Sequence, residues 1–302
     1  MIDVLKYRYY TAIISLAICL SFVGYYVYLV NTRGYAFNYS VDFDGGTQIR
    51  LKFDKPVNTA TIRAALENQG WHGATTREFS NSQEILVRVK DFSSDVKTLA
   101  TRISAAIKEA IPDVSIEVLE SESIRPSAVE ALRFNSFLAL AFGLLAMFLY
   151  TAFRFWSVAF AMGVFVSLFH DAIVVLAVFL FLDREVSINL ISAVLTLLGY
   201  SISDTIVIFA RIRENLAENA ALKRHMSLAH VVTLSINQTL RRTILLSAAT
   251  ALTVMAMLLL GGESLRDLSL ALLVGIIFGT YSSIYIASPV MMLFHKEEGQ
   301  PS

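Results

Sequence analysis

The chain has 302 residues, 55% of them apolar and only 17% charged, a balance too skewed for an ordinary soluble protein. Several apolar runs reach about 20 residues, the length that spans a bilayer, so an integral membrane protein is expected. A formal net charge of zero argues against nucleic acid as a partner, and a single cysteine, Cys19 in the first apolar run, rules out an intrachain disulfide or a cysteine metal cluster.

Lys6 and Arg8 precede an apolar run from Tyr10 to Val30. Asn31, Thr32, Arg33 and Gly34 after it offer no small-residue cleavage site, so the run reads as an uncleaved first span, with 1–34 as cytoplasmic N-terminus plus span. Residues 35–130 have the composition of a soluble domain. The Asp42-Phe43-Asp44-Gly45-Gly46 run stands before its first strand; paired glycines suit a turn or a close backbone approach, and a plain turn is the first reading over a ligand-binding role. Thr47–Phe53 alternates as a half-buried strand, and Asn58–Gln69 carries Ile62, Ala65 and Leu66 at helical spacing. Ala74–Phe79 and Glu84–Val89 are strands joined through a turn-rich Ser80 to Gln83. Asp95–Ala110 has Val96, Leu99, Ile103 and Ile107 on one helical face, and Val114–Leu119 alternates again. The order is βαββαβ, a ferredoxin-like split unit.

Five further apolar runs follow, at about 134–153, 157–182, 188–210, 242–260 and 268–294, within a membrane region of 131–296 and before a tail of 297–302. Six spans put both termini on one side. Lys6, Arg8, Arg154, Arg211, Arg213, Lys223, Arg224, Arg241, Arg242 and Lys296 then share one face, against Arg184 and Arg266 on the other. By the positive-inside rule that face is cytoplasmic and the soluble domain is external.

The fourth run holds a lone carboxylate, Asp204, sharing a helical face with Tyr200, Ser201 and Ile208, while Gly199 and Ser203 are small enough to admit another helix. A charge at bilayer depth costs several kcal/mol by most estimates, so such a residue calls for a named partner or role. Two readings stay open: a structural carboxylate bonded to a serine or backbone group, or a relay, since a carboxyl out of water favours its neutral form and can exchange a proton near neutral pH. Arg242, at the start of the fifth run, reads from position alone as an interfacial anchor. His170 and Asp171 in the third run are a further ionisable pair, pointing about 100° apart on a helix, with a packing role at least as good a reading as a relay. No His or carboxylate spacing reads as a metal site and no phosphate-cradling loop follows a strand, so no cofactor and no nucleotide hydrolysis are expected.

One large domain between the first two spans, then five spans with short links, is the layout of half an RND-type transporter. DFDGG at Asp42–Gly46, the His170-Asp171 pair, GYSISDTIVIFARIREN from Gly199, QTLRRT from Gln238, GGESLRDLSL from Gly261 and GTYSSIYIASP from Gly279, in this order, resemble the SecF branch of the SecD/SecF family. The resemblance implies a six-span polytopic helical protein, not an enzyme, of the bacterial inner membrane, with a partner SecD. It also implies an accessory role beside the SecYEG channel, contact with YajC, YidC and unfolded polypeptide in transit, and use of the proton-motive force. It assigns Asp204 and Arg242 to a proton-conducting constellation, in which an arginine pairs with or modulates a carboxylate and does not itself carry the proton. His170, Asp171 and Ser201 are secondary candidates. Two departures stand out: Ile124-Arg125-Pro126 replaces a Val-Gly-Pro turn, and Leu246, with Ser247 beside it, replaces a threonine four residues after the arginine. A small-molecule or lipid exporter of the RND superfamily is the alternative function, and a purely structural scaffold a weaker third.

Overall fold

The computed structural model describes residues 4–78 and 83–295. The Ser80 to Ser82 part of the expected hairpin link, Phe79, Lys296 and the 297–302 tail lie outside the described residues. In chain order, a short turn at Val4–Tyr7 leads into α1 (Arg8–Arg33), β1 (Asn38–Tyr39) and α2 (Val41–Asp44). Then come β2 (Gly46–Phe53), α3 (Thr59–Asn68), β3 (Thr75–Glu78), β4 (Glu84–Val89), α4 (Val96–Ala110) and β5 (Ile116–Ile124). The rest is α5 (Pro126–Phe155), α6 (Val158–Phe181), β6 (Glu185–Val186), α7 (Ile188–Ala221), α8 (Leu228–Leu260), α9 (Glu263–Ser282), a π-helical segment (Ser283–Ala287) and α10 (Ser288–Phe294). Six helical stretches among the described residues are long and apolar enough to cross a membrane.

The chain divides into two compact units, one of Tyr39–Ser136 with Glu185–Ser187, the other of the remaining helices. In the first, β2, β3, β4 and β5 form an antiparallel sheet in the order β3-β4-β2-β5. Alternation drives this: Ile49, Leu51 and Phe53 of β2 and Ile85, Val87 and Val89 of β4 point inward against Ile62 and Leu66 of α3 and Ile103 and Ile107 of α4. Each fully buried Ile or Leu contributes about 1.5–3 kcal/mol, so Ile103→Ala removes about 2–5 kcal/mol with its cavity. Asn58 caps α3 by accepting the Ala60 N–H and Asp95 caps α4 by accepting the Thr98 N–H. The last strand runs past the expected Leu119 to Ile124, because β2 pairs with it along its whole length around an irregularity at Arg50/Leu51.

DFDGG is more than a plain turn. Ser40 caps a single helical turn, α2, and Gly45 and Gly46 follow with φ of +76° and +100°. A Cβ on Gly46 would stand 2.4 Å from the Val89 carbonyl, so this position requires glycine both for its backbone angle and for the approach of β4. Arg133 of α5 donates from Nε to the Phe43 carbonyl (2.7 Å) and pairs with Asp44 (3.1 Å), fixing the turn. Helix α5 begins at Pro126, which suits a first helical position because proline lacks the N–H that would go unused there.

In the helical unit, α6 buries residues along its whole length, and Phe155, Phe160 and Phe209 form one aromatic cluster with centroids 5.0–6.1 Å apart. The spans α7 and α8 are longer than their apolar runs. Helix α7 continues to Ala221 and α8 starts at Leu228, not near 242, giving 34 and 33 residues. At 1.5 Å per residue each is about 50 Å long, well beyond a hydrocarbon core of about 30 Å. Polar contacts hold the extensions together: Arg211 Nε donates to Gln238 Oε1 (2.6 Å) and Asn215 Nδ2 to Ser235 Oγ and Gln238 Oε1 (both 2.8 Å). The π segment precedes Pro289, whose missing N–H breaks the regular bond to the Tyr285 carbonyl.

Candidate functional site

Asp204 projects from the middle of α7 and keeps only 4% of its surface. Ser247 Oγ of α8 donates to Asp204 Oδ2 at 3.1 Å, while accepting from Thr280 Oγ1 of α9 (2.8 Å) and from Tyr200 OH (3.3 Å). One hydroxyl donates once and accepts twice, so its hydrogen-bonding capacity is filled by the Asp204 carboxylate and Tyr200 of α7 and by Thr280 of α9. Tyr200 lies one turn before Asp204, so the polar face read from the sequence holds there. Among the described residues Gly199 and Ser203 do not admit a neighbour: beyond the backbone of α7 itself no atom lies within 4 Å of a Cβ on Gly199, and Ser203 is exposed with its hydroxyl turned back to the Gly199 carbonyl.

Arg242 is not at the start of its helix, although the apolar part of α8 still begins there. The segment Leu228–Leu240 before it is helical because Val231, Val232, Ser235, Ile236 and Thr239 pack inward, which leaves Arg242 in mid-helix and exposed within this chain. Among the described residues no ion pair within 4.0 Å joins it to Asp204. The residue that does touch Asp204 is Ser247, and Leu246 beside it is exposed. A serine in an apolar helix has no sequence signature of such a contact.

The secondary candidates form the tighter cluster. Asp171 is fully buried; Ser201 Oγ donates to its Oδ2 at 2.7 Å and His170 Nδ1 lies 3.4 Å from its Oδ1. His170 Nε2 is buried and finds no hydrogen-bond partner among the described residues. The α9 backbone comes down on this pair: a Cβ on Gly279 would stand 3.2 Å from Ser201 and 3.6 Å from Asp171 Oδ2. Ser167 of α6 donates to Ser282 at 3.0 Å, and Thr205 of α7 shares a 2.8 Å bond with Ser283. Two carboxylates thus sit in separate hydroxyl networks, Asp171 between α6 and α7 and Asp204 between α7 and α8, both closed by α9, through Gly279 and Thr280 respectively. Among the described residues no three His, Cys, Asp or Glu side chains converge as metal ligands.

Six long apolar helices, a sheet unit inserted after the first, and ionisable groups buried among hydroxyls define a polytopic membrane protein of the transport type. Residues 103–297 match the family described as protein export membrane protein SecD/SecF, C-terminal, and residues 35–57 match the SecD/SecF GG motif, which contains Gly45 and Gly46. The chain is 37% identical to protein translocase subunit SecF of Thermodesulfovibrio yellowstonii over 86% of its own length and 84% of that protein's. Against SecF of Vibrio alginolyticus the values are 39%, 84% and 79%. It matches the crystal structure of SecDF, a translocon-associated membrane protein from Thermus thermophilus, with a TM-score of 0.81 and 37% identity over 95% of this chain and 38% of the longer one. The chain belongs to the SecD/SecF family of protein export membrane proteins.

Proposed function

We propose that this chain is an accessory subunit of the Sec protein translocase that works with a SecD subunit and uses the proton-motive force to promote export of unfolded polypeptide across the cytoplasmic membrane. Family membership along most of the chain supports the export role, and the same kinship supports SecYEG, YajC and YidC as neighbours. The match to about a third of a longer protein named protein translocase subunit SecDF supports SecD as the partner. The cations gathered at one end of the spans support a cytoplasmic-membrane orientation with both termini inside. A small-molecule exporter has less support, because the likeness to SecF extends over four fifths of the chain or more.

The observation that carries the protonic part is Asp204, a carboxylate taken out of water and held by a single serine at membrane depth. Asp204→Asn preserves size and the ability to accept from Ser247 but cannot ionise. Expression and association with partners are expected to stay normal while stimulation of export by the proton-motive force is lost, measured in membrane vesicles with and without an uncoupler. Normal stimulation in Asp204→Asn would leave the carboxylate a structural group.

A further inference from the structure

Between α6 and α7 the chain leaves the helical unit for three residues, Glu185–Ser187, which belong to the sheet unit although spans flank them on both sides. The attachment is specific. Glu185 Oε2 accepts from Arg88 Nη2 of β4 at 2.7 Å and its Oε1 lies 3.3 Å from Arg77 Nη1 of β3. Glu185 and Arg88 side chains keep only 17% and 18% of their surface, so one carboxylate is divided between two arginines largely out of solvent. Arg88 also donates from Nη1 to the Tyr39 carbonyl at 2.8 Å, and the Val186 carbonyl accepts the Ser40 N–H at 3.0 Å. The link is therefore fixed by side chain and main chain to β4 and to the residues that open the DFDGG turn. Two residues on, at Ile188, α7 begins, and it runs without a break through Ser201 and Asp204.

We infer that this clamp couples the Asp204-bearing helix to the sheet unit, with Glu185 as a positioning residue that transmits displacement of α7 to β3 and β4. Helices are stiff along their axes, and a change at Asp204 or in its Ser247 bond shifts or turns α7 as a body. Only Ser187 separates that body from the clamped Glu185–Val186 pair. A freely solvated link would absorb such a shift; a link bonded at both Glu185 and Val186 passes it on. The inference rests on the protonic reading of Asp204.

The test uses the full-length chain in membrane vesicles with its translocation partners, in three variants. Glu185→Gln keeps the side chain's shape and removes the charge shared by the two arginines. Insertion of two glycines after Ser187 leaves every clamp bond in place and gives the link slack. Asp204→Asn reports on the protonic reading separately. Stimulation of export by the proton-motive force is expected to fall about fivefold or more in both clamp variants, the lower end of what a coupling free energy between two sites produces. Hydrogen exchange in β4 is expected to differ between Asp204→Asn and the unaltered chain, and this difference is expected to vanish when the two glycines are present. A merely structural clamp predicts a defect for Glu185→Gln and none for the insertion, and that result overturns the inference. Full stimulation in both clamp variants, with loss in Asp204→Asn, overturns the coupling while leaving the protonic reading in place. Full stimulation in Asp204→Asn overturns the protonic reading, and the coupling with it.

Discussion

Replacing Gly46 by alanine is expected to destabilise the sheet unit far more than replacing its neighbour Gly45. At Gly46 a Cβ would stand 2.4 Å from the Val89 carbonyl and 3.2 Å from Lys90 Cα, both backbone atoms of the paired strand, at a φ of +100°. The left-handed backbone costs an L-residue about 1–2 kcal/mol and forcing extra volume into a packed site about 1–3 kcal/mol, a total of about 2–5 kcal/mol. That is a large part of the 5–15 kcal/mol by which a domain is typically stable. At Gly45 the nearest atom is Val129 Cγ2 at 3.2 Å, a side-chain methyl that yields, so only the backbone cost of about 1–2 kcal/mol remains. With a factor of ten for each 1.4 kcal/mol, amide protection in β2 and β4 is expected to drop about 30-fold or more for Gly46→Ala, and by less for Gly45→Ala. Hydrogen exchange on the detergent-solubilised full-length chain measures both. Equal losses of protection in the two variants would refute the close-approach argument and return the paired glycines to a turn that needs only positive φ.

Two more predictions concern pH and topology. Local desolvation first, then the charges of Asp42 and Glu120, push the carboxyl of Glu122, an exposed residue of β5, above its usual range. Its neutral form is therefore favoured by the fold, so its contribution to sheet stability is fully present below the unfolded value of about 4.3 and is lost as pH rises through the raised folded value. Relative to Glu122→Gln, the unaltered chain is expected to lose protection in β5 on going from acid to neutral pH; a relative gain would show the sign to be wrong. Reporter fusions at Asn81 are expected to read as external and at Glu218 as cytoplasmic, following the one-sided cations, and an internal Asn81 would overturn the six-span orientation.

The spans and the βαββαβ order were legible because hydropathy and alternation are local properties of the chain. The helix ends were not. RIRENLAENAA after Ala210 and LAHVVTLSINQTL before Arg241 are too polar to read as membrane spans, yet they are helical because Arg211, Asn215, Ser235 and Gln238 bond one another across two helices. Their extension places Arg242 in mid-helix while it still opens the apolar run, a consequence that no local pattern carries. Asp204 announced itself as a carboxylate in an apolar run, and its partner Ser247 did not, since one serine among Leu and Ala looks the same whether it faces lipid or a buried acid. The Glu185 clamp was equally hidden: it joins residues about 100 positions apart whose only local mark is charge.

The relation between Arg242 and Asp204 is the sharpest remaining question about the site, because the two are on different helices and are not paired directly. A cation favours the ionised form of a nearby carboxyl, opposing desolvation, and this action through space depends on charge and not on the planar fork of the guanidinium. Arg242→Lys is therefore expected to keep most of the proton-dependent stimulation of export, and Arg242→Met to lose it. Residues that act as one unit are strongly non-additive, so Asp204→Asn combined with Arg242→Met is expected to be scarcely worse than either change alone. Arg241 is also exposed, but it points about 100° away around α8, so Arg241→Met serves as the control and is expected to have a much smaller effect. Defects that multiply in the double variant would show two independent sites and make Arg242 an anchor of α8. Loss of function in Arg242→Lys equal to that in Arg242→Met would show that the fork itself matters, and hence that a direct pair with a carboxylate forms at a stage this conformation does not contain.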